Sequence, residues 1–290
     1  MTGPRILVTG GSGYLGGWVV RLACVDWDVS ATYFAHPAGE ERGGAGPLSR
    51  VAWRRLDVRD RMAVEALVDE LSPAAIVHAA ALNPGQGTDF EQVNAAGTRH
   101  VAQAAAACGA RLIYISTDVL FDGEEGDYVE EDSPAPITPY GRSKALAEEA
   151  VRASGANVVI VRTSLIYGWR PCPDRQTRWI VGDVQAGEPV HLFIDELRCP
   201  IWVENLAAAV IELAGIEYTG TLHVAGVQAL SRYEFGLRLL RFHGLDPALL
   251  IPTRSRESGL IRPLDCTLDC SRARSLLRTP LVGVDEVLGT

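Results

Sequence analysis

The sequence predicts an α/β fold: a doubly wound parallel sheet with a smaller, partly interleaved C-terminal lobe. Three observations predict it. Short apolar runs alternate with helical patterns through the first 168 residues, which is the rhythm of βαβ units. The first run is closed by clustered glycines and then a helix. After Tyr167 the rhythm breaks at Arg170-Pro171-Cys172-Pro173 and becomes irregular.

The elements follow in chain order. Arg5-Ile6-Leu7-Val8-Thr9 is an apolar run bounded by glycines, as a strand buried on both faces should be. A helix is expected over 13–24 and a second strand over 29–34. Residues 37–50, rich in Gly and Pro, read as a loop. A third strand over 51–56 precedes a helix over 61–71, whose apolar residues fall at 64, 67, 68 and 71. A strand at 74–78, an alanine-rich helix at 90–108, a strand at 111–115, a helix at 140–153 and a strand at 157–161 complete the alternation. Right-handed crossovers put the helices on both faces of the sheet. Further helices are expected near 175–186 and 203–214, with a strand at 221–225. The division is a first domain over 1–168 and a lobe over 169–290, with 203–225 returning to the first domain.

Composition narrows the function. The chain has 290 residues, 47% hydrophobic and 22% charged, which excludes disordered and fibrous classes. A net charge of −9 argues against a nucleic-acid partner, which requires a basic face. No apolar run reaches the roughly 18–20 residues that span a bilayer. The opening residues lack a secretory leader, and the six cysteines include no CxxC pair. These features predict a cytoplasmic chain with free buried thiols and no metal site. Of the 27 basic residues one is lysine, Lys144, and the rest are arginine. Arginine substitutes for lysine at solvated positions but supplies no titratable amine, so Lys144 stands out.

Gly10-Gly11-Ser12-Gly13-Tyr14-Leu15-Gly16 lies between the first strand and the first helix. Gly10, Gly13 and Gly16 there allow a tight turn and a close approach to a pyrophosphate, while the helix start at Tyr14 and Leu15 offers free N–H groups. This is a Rossmann-type dinucleotide site. Such sites carry an acid for the ribose 2′-hydroxyl at the end of the second strand. Here that end reads Thr32-Tyr33-Phe34-Ala35-His36, with no acid before Glu40. NADP(H) is therefore expected over NAD(H), with His36 or Arg42 facing a 2′-phosphate, although His36 also reads as a solvated loop residue. Asp57-Val58, ending the third strand, would flank an adenine, or Asp57 would serve as a helix N-terminal acid.

Tyr140 and Lys144 are four apart on a helix and share a face. An ammonium beside a phenol lowers the phenol pKa toward neutrality, giving a proton donor for a carbonyl substrate. Ser116 and Thr117 end a strand where ligands of open α/β sheets bind; either hydroxyl would orient such a carbonyl or cap a turn.

Together these residues resemble the extended short-chain dehydrogenase/reductases. Ser116-Thr117-Asp118-Val119-Leu120-Phe121-Asp122-Gly123, Pro139-Tyr140-Gly141-Arg142-Ser143-Lys144, Arg162-Thr163-Ser164-Leu165-Ile166-Tyr167-Gly168 and Arg198-Cys199-Pro200 are similar to the dTDP-4-dehydrorhamnose reductase family across nearly the whole chain. The resemblance implies hydride transfer from NAD(P)H to a keto group of a nucleotide sugar. It makes Tyr140 the proton donor, has Lys144 tune that tyrosine and hold the nicotinamide ribose, and assigns Thr117 or Ser116 to the carbonyl. It also implies that Ala79, Ala80 and Ala81 line the cofactor, that Asn94 belongs to a VN-x-x-GT segment, and that Val119, Leu165 and Arg198 face the substrate. Val119 and Leu165 depart from the family's aromatic and Trp at those places. Two alternatives stand beside this reading. One is an epimerase or dehydratase of the same fold, although Thr117 is followed by Asp118 and then Val119, so the acidic pair of dehydratases is absent. The other is a non-catalytic NADP-binding subunit resembling the β subunit of methionine adenosyltransferase. Helix 99–108 would serve a homodimer or pack closely on the sheet. His78 and His223 read as satisfied near-core residues, and Glu130, Glu131 and Asp132 as a solvated loop.

Overall fold

In a computed structural model, which describes residues 3–36 and 47–289, the apolar runs become one sheet of seven strands. β1 (Arg5–Thr9), β2 (Asp28–Tyr33), β3 (Ala52–Arg55), β4 (Ala75–His78), β5 (Arg111–Ile115) and β6 (Val158–Arg162) are joined by a last strand, Gly220–His223. Their order is β3-β2-β1-β4-β5-β6 and then the last strand at the edge. The pairings from β3 through to β6 are parallel, with registers such as Arg5↔Asp28, Ile6↔Ala75 and Leu112↔Val158. The order reverses between β1 and β4. That reversal opens a crevice beyond the strand ends where Gly10 and Ala79 lie, the place where such sheets bind ligands.

The contacts divide the chain into two compact units. The first comprises Met1–Ser116, Pro139–Val161 and Ala207–Leu222; the second comprises Thr117–Thr138, Arg162–Leu206 and His223–Thr290. The single break expected at 168 is thus replaced by crossings at the ends of β5 and β6, and the expected return over 203–225 is narrower. The peptide passing from Ser116 to Thr117 shows no change of composition, so periodicity alone does not mark the first crossing.

In the first unit the helices bury one stripe each. α1 (Tyr14–Ala23) buries Leu15, Val19, Val20 and Ala23. α2 (Arg61–Leu71) buries Val64, Leu67, Val68 and Leu71, each contributing roughly 1.5–3 kcal/mol. The Asp60 side chain caps α2 by accepting from the Ala63 amide at 3.1 Å. The helix expected over 90–108 divides into a π-helical stretch, Glu91–Ala96, and α3 (Gly97–Cys108). Such wide turns insert an extra residue, and Asn94 within this one is buried. α4 (Pro139–Ala153) buries Lys144, Ala147, Glu148 and Val151.

The second unit has its own core of Tyr167, Ile180, Val190, Leu192, Phe235, Leu239 and Leu250. Asp174 caps the helix Arg175–Gln185. Ser231 and Glu234 form a reciprocal capping box on the helix Arg232–Phe242. Glu130 is not solvated as expected: its carboxylate accepts from the His223 amide at 3.1 Å and faces Arg272. The six cysteines are free; Cys199, Cys266 and Cys270 are buried, whereas Cys24 and Cys172 are half-buried and Cys108 is exposed. Among the described residues no helix is long and apolar enough to cross a membrane, and no three His, Cys, Asp or Glu side chains are grouped to hold a metal.

Two glycines are required by this packing. Gly10 has φ +68°, and a Cβ there would lie 2.7 Å from the backbone of Ala80. A Cβ on Gly16 would lie 2.2 Å from the Gly10 carbonyl oxygen. Gly16→Ala must push α1 away from the loop, and overpacking of this kind costs about 1–3 kcal/mol. The expected result is a lowered urea midpoint with an unchanged far-ultraviolet circular dichroism spectrum before the transition.

Candidate active site

The first unit carries the glycine loop and the helix pair. Gly13 is the N-cap of α1, brings no capping side chain, and no acid follows in the first turn. Gly13 is exposed, and the only atom near its missing Cβ is the Gly10 carbonyl at 3.0 Å. The loop therefore forms an open cradle at a helix N-terminus, where free amides and the helix dipole favour an anion. Tyr14 is half-buried and Leu15 buried in the turn that follows. Ala79 and Ala80 border the loop at Gly10, with the Ala79 amide bonded to the Thr9 carbonyl at 3.2 Å, and half-buried Ala81 follows them. These small residues beside a helix N-terminus fit a dinucleotide pyrophosphate.

His36 is exposed, and Glu40 and Arg42 lie outside the described residues. Asp57 is not a helix cap, since Asp60 fills that role. Its carboxylate accepts from Arg59 at 2.7 and 2.9 Å, and this bonding holds its pKa below the usual carboxylate range. Val58 packs under Gly97, where a Cβ would meet it at 2.7 Å. Asn94 has its amide occupied: it accepts from the Leu82 amide at 2.8 Å and donates to the Leu82 carbonyl and to Ser143 Oγ, both at 3.0 Å. It ties the loop after β4 to α4.

Tyr140 is half-buried at the start of α4, edge-on to Phe90 at 5.9 Å. Lys144 is 3% exposed. Its ammonium donates to the Ile115 carbonyl at 2.7 Å and sits 4.4 Å from the Tyr114 ring centroid. Burial pushes its pKa down from 10.5 to about 7, and the Glu148 carboxylate opposes the fall. His78, bonded to Thr9 at 2.6 Å and Thr98 at 3.0 Å, is a satisfied buried residue as expected. Burial, then the charge of Lys144, push it down to about 3. Ser116 is buried and its hydroxyl donates to Glu148 at 2.6 Å.

The second unit holds the remaining candidates. Thr117 Oγ1 accepts from the Val119 amide at 3.4 Å and donates to Asp118 at 3.2 Å. Asp118 also accepts from Ser164 at 2.6 Å. Arg198 Nε lies 3.6 Å from Asp118, and its other donors reach the Pro263 and Leu264 carbonyls at 2.9 Å. Arg198, expected to face substrate, is therefore buried as a brace within this unit. Val119 and Leu165 are half-buried aliphatic side chains.

The sequence profile described as RmlD substrate binding domain matches residues 4–288. The chain belongs to the RmlD substrate binding domain family. Within it, the chain is 34% identical over 268 residues to a probable low-salt glycan biosynthesis reductase, Agl14, of Haloferax volcanii, covering 89% of this chain and 84% of that one. It is 30% identical to the methionine adenosyltransferase 2 subunit beta of Rattus norvegicus, covering 98% and 87%. Its fold matches a crystal structure of dTDP-4-dehydrorhamnose reductase from Bacillus anthracis in complex with NADP, with TM-score 0.83 and 25% identity over 99% and 98% of the chains.

Several groups of this RmlD-family chain escaped the sequence reading. Glu148 is fully buried and its charge acts on Lys144, although its spacing of four from that lysine already placed it on the same helix face. Asp118 and Ser164 form a buried bond across 46 residues, which no local pattern signals. Glu196 is fully buried and takes Arg262 in a two-pronged pair, again a distant partnership. Arg232, near these groups, is pulled down to about 10 by burial and then by the like charge of Arg198.

His78 gives a testable pH dependence. Its pKa in the folded chain, about 3, is below the unfolded value near 6.5, so the unfolded chain binds the extra proton. Stability from the neutral imidazole is complete above pH 6.5 and is lost as pH falls toward about 3. Urea midpoints measured between pH 7 and pH 4 should fall more steeply for the wild type than for His78→Asn.

Proposed function

We propose that this chain is an NADPH-dependent reductase of a keto group on a nucleotide sugar. The observation that carries the reading is the buried ammonium of Lys144, fixed on the Ile115 carbonyl one helical turn after the half-buried Tyr140. A dinucleotide pyrophosphate is held by the amides at the start of α1, in the cradle left by Gly13. NADPH, when bound, supplies a hydride to the keto carbon. The Tyr140 hydroxyl gives its proton to the carbonyl oxygen as that oxygen gains charge, so the ketone becomes an alcohol. Lys144 stabilises the resulting phenolate and holds the nicotinamide ribose.

Thr117 orients the carbonyl: its hydroxyl proton is held only by a 3.2 Å bond to Asp118, whereas that of Ser116 is fixed on Glu148 at 2.6 Å. Val119 and Leu165 supply an aliphatic wall to the sugar. Arg198 acts within its own unit rather than on the substrate. The NADP complex of the Bacillus anthracis relative and the reductase description of Agl14 support this reading. NADP(H) rather than NAD(H) follows from the missing acid after β2. The enzyme acts in the cytoplasm on a small molecule, without nucleic acid.

The rat β subunit favours a second reading, a chain that binds NADP without turnover. Both are separated by one experiment. NADPH binding is followed by fluorescence, and its oxidation is followed with a panel of 4-keto nucleotide sugars. The reductase reading expects turnover of one sugar, and Tyr140→Phe to lower kcat by about 10²–10⁴-fold while retaining NADPH binding. Binding without turnover of any sugar would select the second reading.

A further inference from the structure

The surroundings of Lys144 contain one group that the mechanism does not use. From β5, the Ile115 carbonyl takes its ammonium at 2.7 Å and the Tyr114 ring lies against it. From β4, His78 contributes a neutral imidazole. On α4 itself, Tyr140 stands one turn before and Glu148 one turn after. Glu148 is the anion whose charge acts on the ammonium. It is fully buried, and a carboxylate removed from water persists only where its oxygens are bonded.

Those bonds are specific. Oε1 accepts from Ser116 at 2.6 Å, and Oε2 accepts from Arg152 at 2.8 Å. Arg152 is part-exposed and also donates to Thr221 at 3.1 Å. Ser116 directly follows Ile115, so two consecutive residues of the β5 end hold the two opposite charges of α4. The ammonium is bonded to a carbonyl rather than to the carboxylate. The charges are thereby kept one turn apart, and the lysine is not drawn down the helix away from Tyr140.

We propose that Glu148 is a positioning residue: its buried charge, clamped by Ser116 and Arg152, favours the ammonium form of Lys144 against the effect of burial. Burial alone drives a lysine toward the neutral amine, which has no charge to stabilise a phenolate. The consequence for turnover rests on the reductase reading; the electrostatic statement does not.

Lys144 is the only lysine in the chain, so protein labelled with ¹³Cε-lysine gives one side-chain resonance. Its titration is followed in the full-length wild type, Glu148→Gln and Glu148→Asp. The expected result is a midpoint at least one pH unit lower in Glu148→Gln, with most of the shift recovered in Glu148→Asp. Arg152→Ala, at a part-exposed position, removes one of the bonds that keep the Glu148 carboxylate charged, so it should move the midpoint downward, and it serves if Glu148→Gln does not fold. A midpoint within 0.3 units of wild type in Glu148→Gln, or in Arg152→Ala when the first variant is unfolded, would overturn the proposal. In the turnover assay, the alkaline limb of kcat should move with the resonance. If no sugar is reduced, the resonance still decides the role of Glu148 separately from the reductase reading.

Discussion

The ammonium of Lys144 bonded to the Ile115 carbonyl is the constraint around which the first unit is arranged. It fastens α4 to the C-terminal end of β5, where the backbone would otherwise present an acceptor to a dry interior. Leaving such a group unpaired costs about 1–3 kcal/mol. The bond also sets the height of α4 along the sheet. Half-buried Tyr140 and fully buried Glu148 therefore stand one turn to either side of the lysine. Asn94 reinforces this placement through Ser143, the residue before the lysine.

The glycine loop depends on the same sheet through a different force. Gly10 and Gly16 let β1, α1 and the Ala80 backbone approach closer than any side chain would permit. Gly13 is exposed and less crowded, with a Cβ there 3.0 Å from the Gly10 carbonyl oxygen. Gly10 and Gly16 are thus explained by packing. The reversal of strand order beside this loop brings the cradle and the small residues after β4 together.

Much of the first unit was legible because parallel strands buried on both faces are short apolar runs, and their helices show apolar spacing. Tyr140 and Lys144 were legible because four residues on a helix is a fixed spatial relation. Ser116 was not resolved from Thr117 in sequence, because its partner Glu148 is 32 residues away. Arg198 looked like a substrate residue for the same reason: only the fold reveals that the Pro263 and Leu264 carbonyls engage it. The unit boundary at Ser116–Thr117 was illegible because nothing in composition changes there. In each case the missing information was a long-range partner.

The economy of lysine in this chain bears on what the site is for. Every other basic position is arginine, which remains charged and satisfies solvated surfaces. One amine persists, buried, with its pKa drawn to about 7. At neutral pH a buried ammonium lowers stability relative to an apolar side chain of similar volume, and a buried counter-carboxylate adds a second desolvated charge. A chain that only bound a dinucleotide would use the ammonium on the nicotinamide ribose but would have no need of it beside a phenol. Retaining a destabilising pair one turn from a tyrosine is intelligible where proton transfer at that tyrosine requires the charge, and this is the physical ground on which the reductase reading stands above the binding-only one.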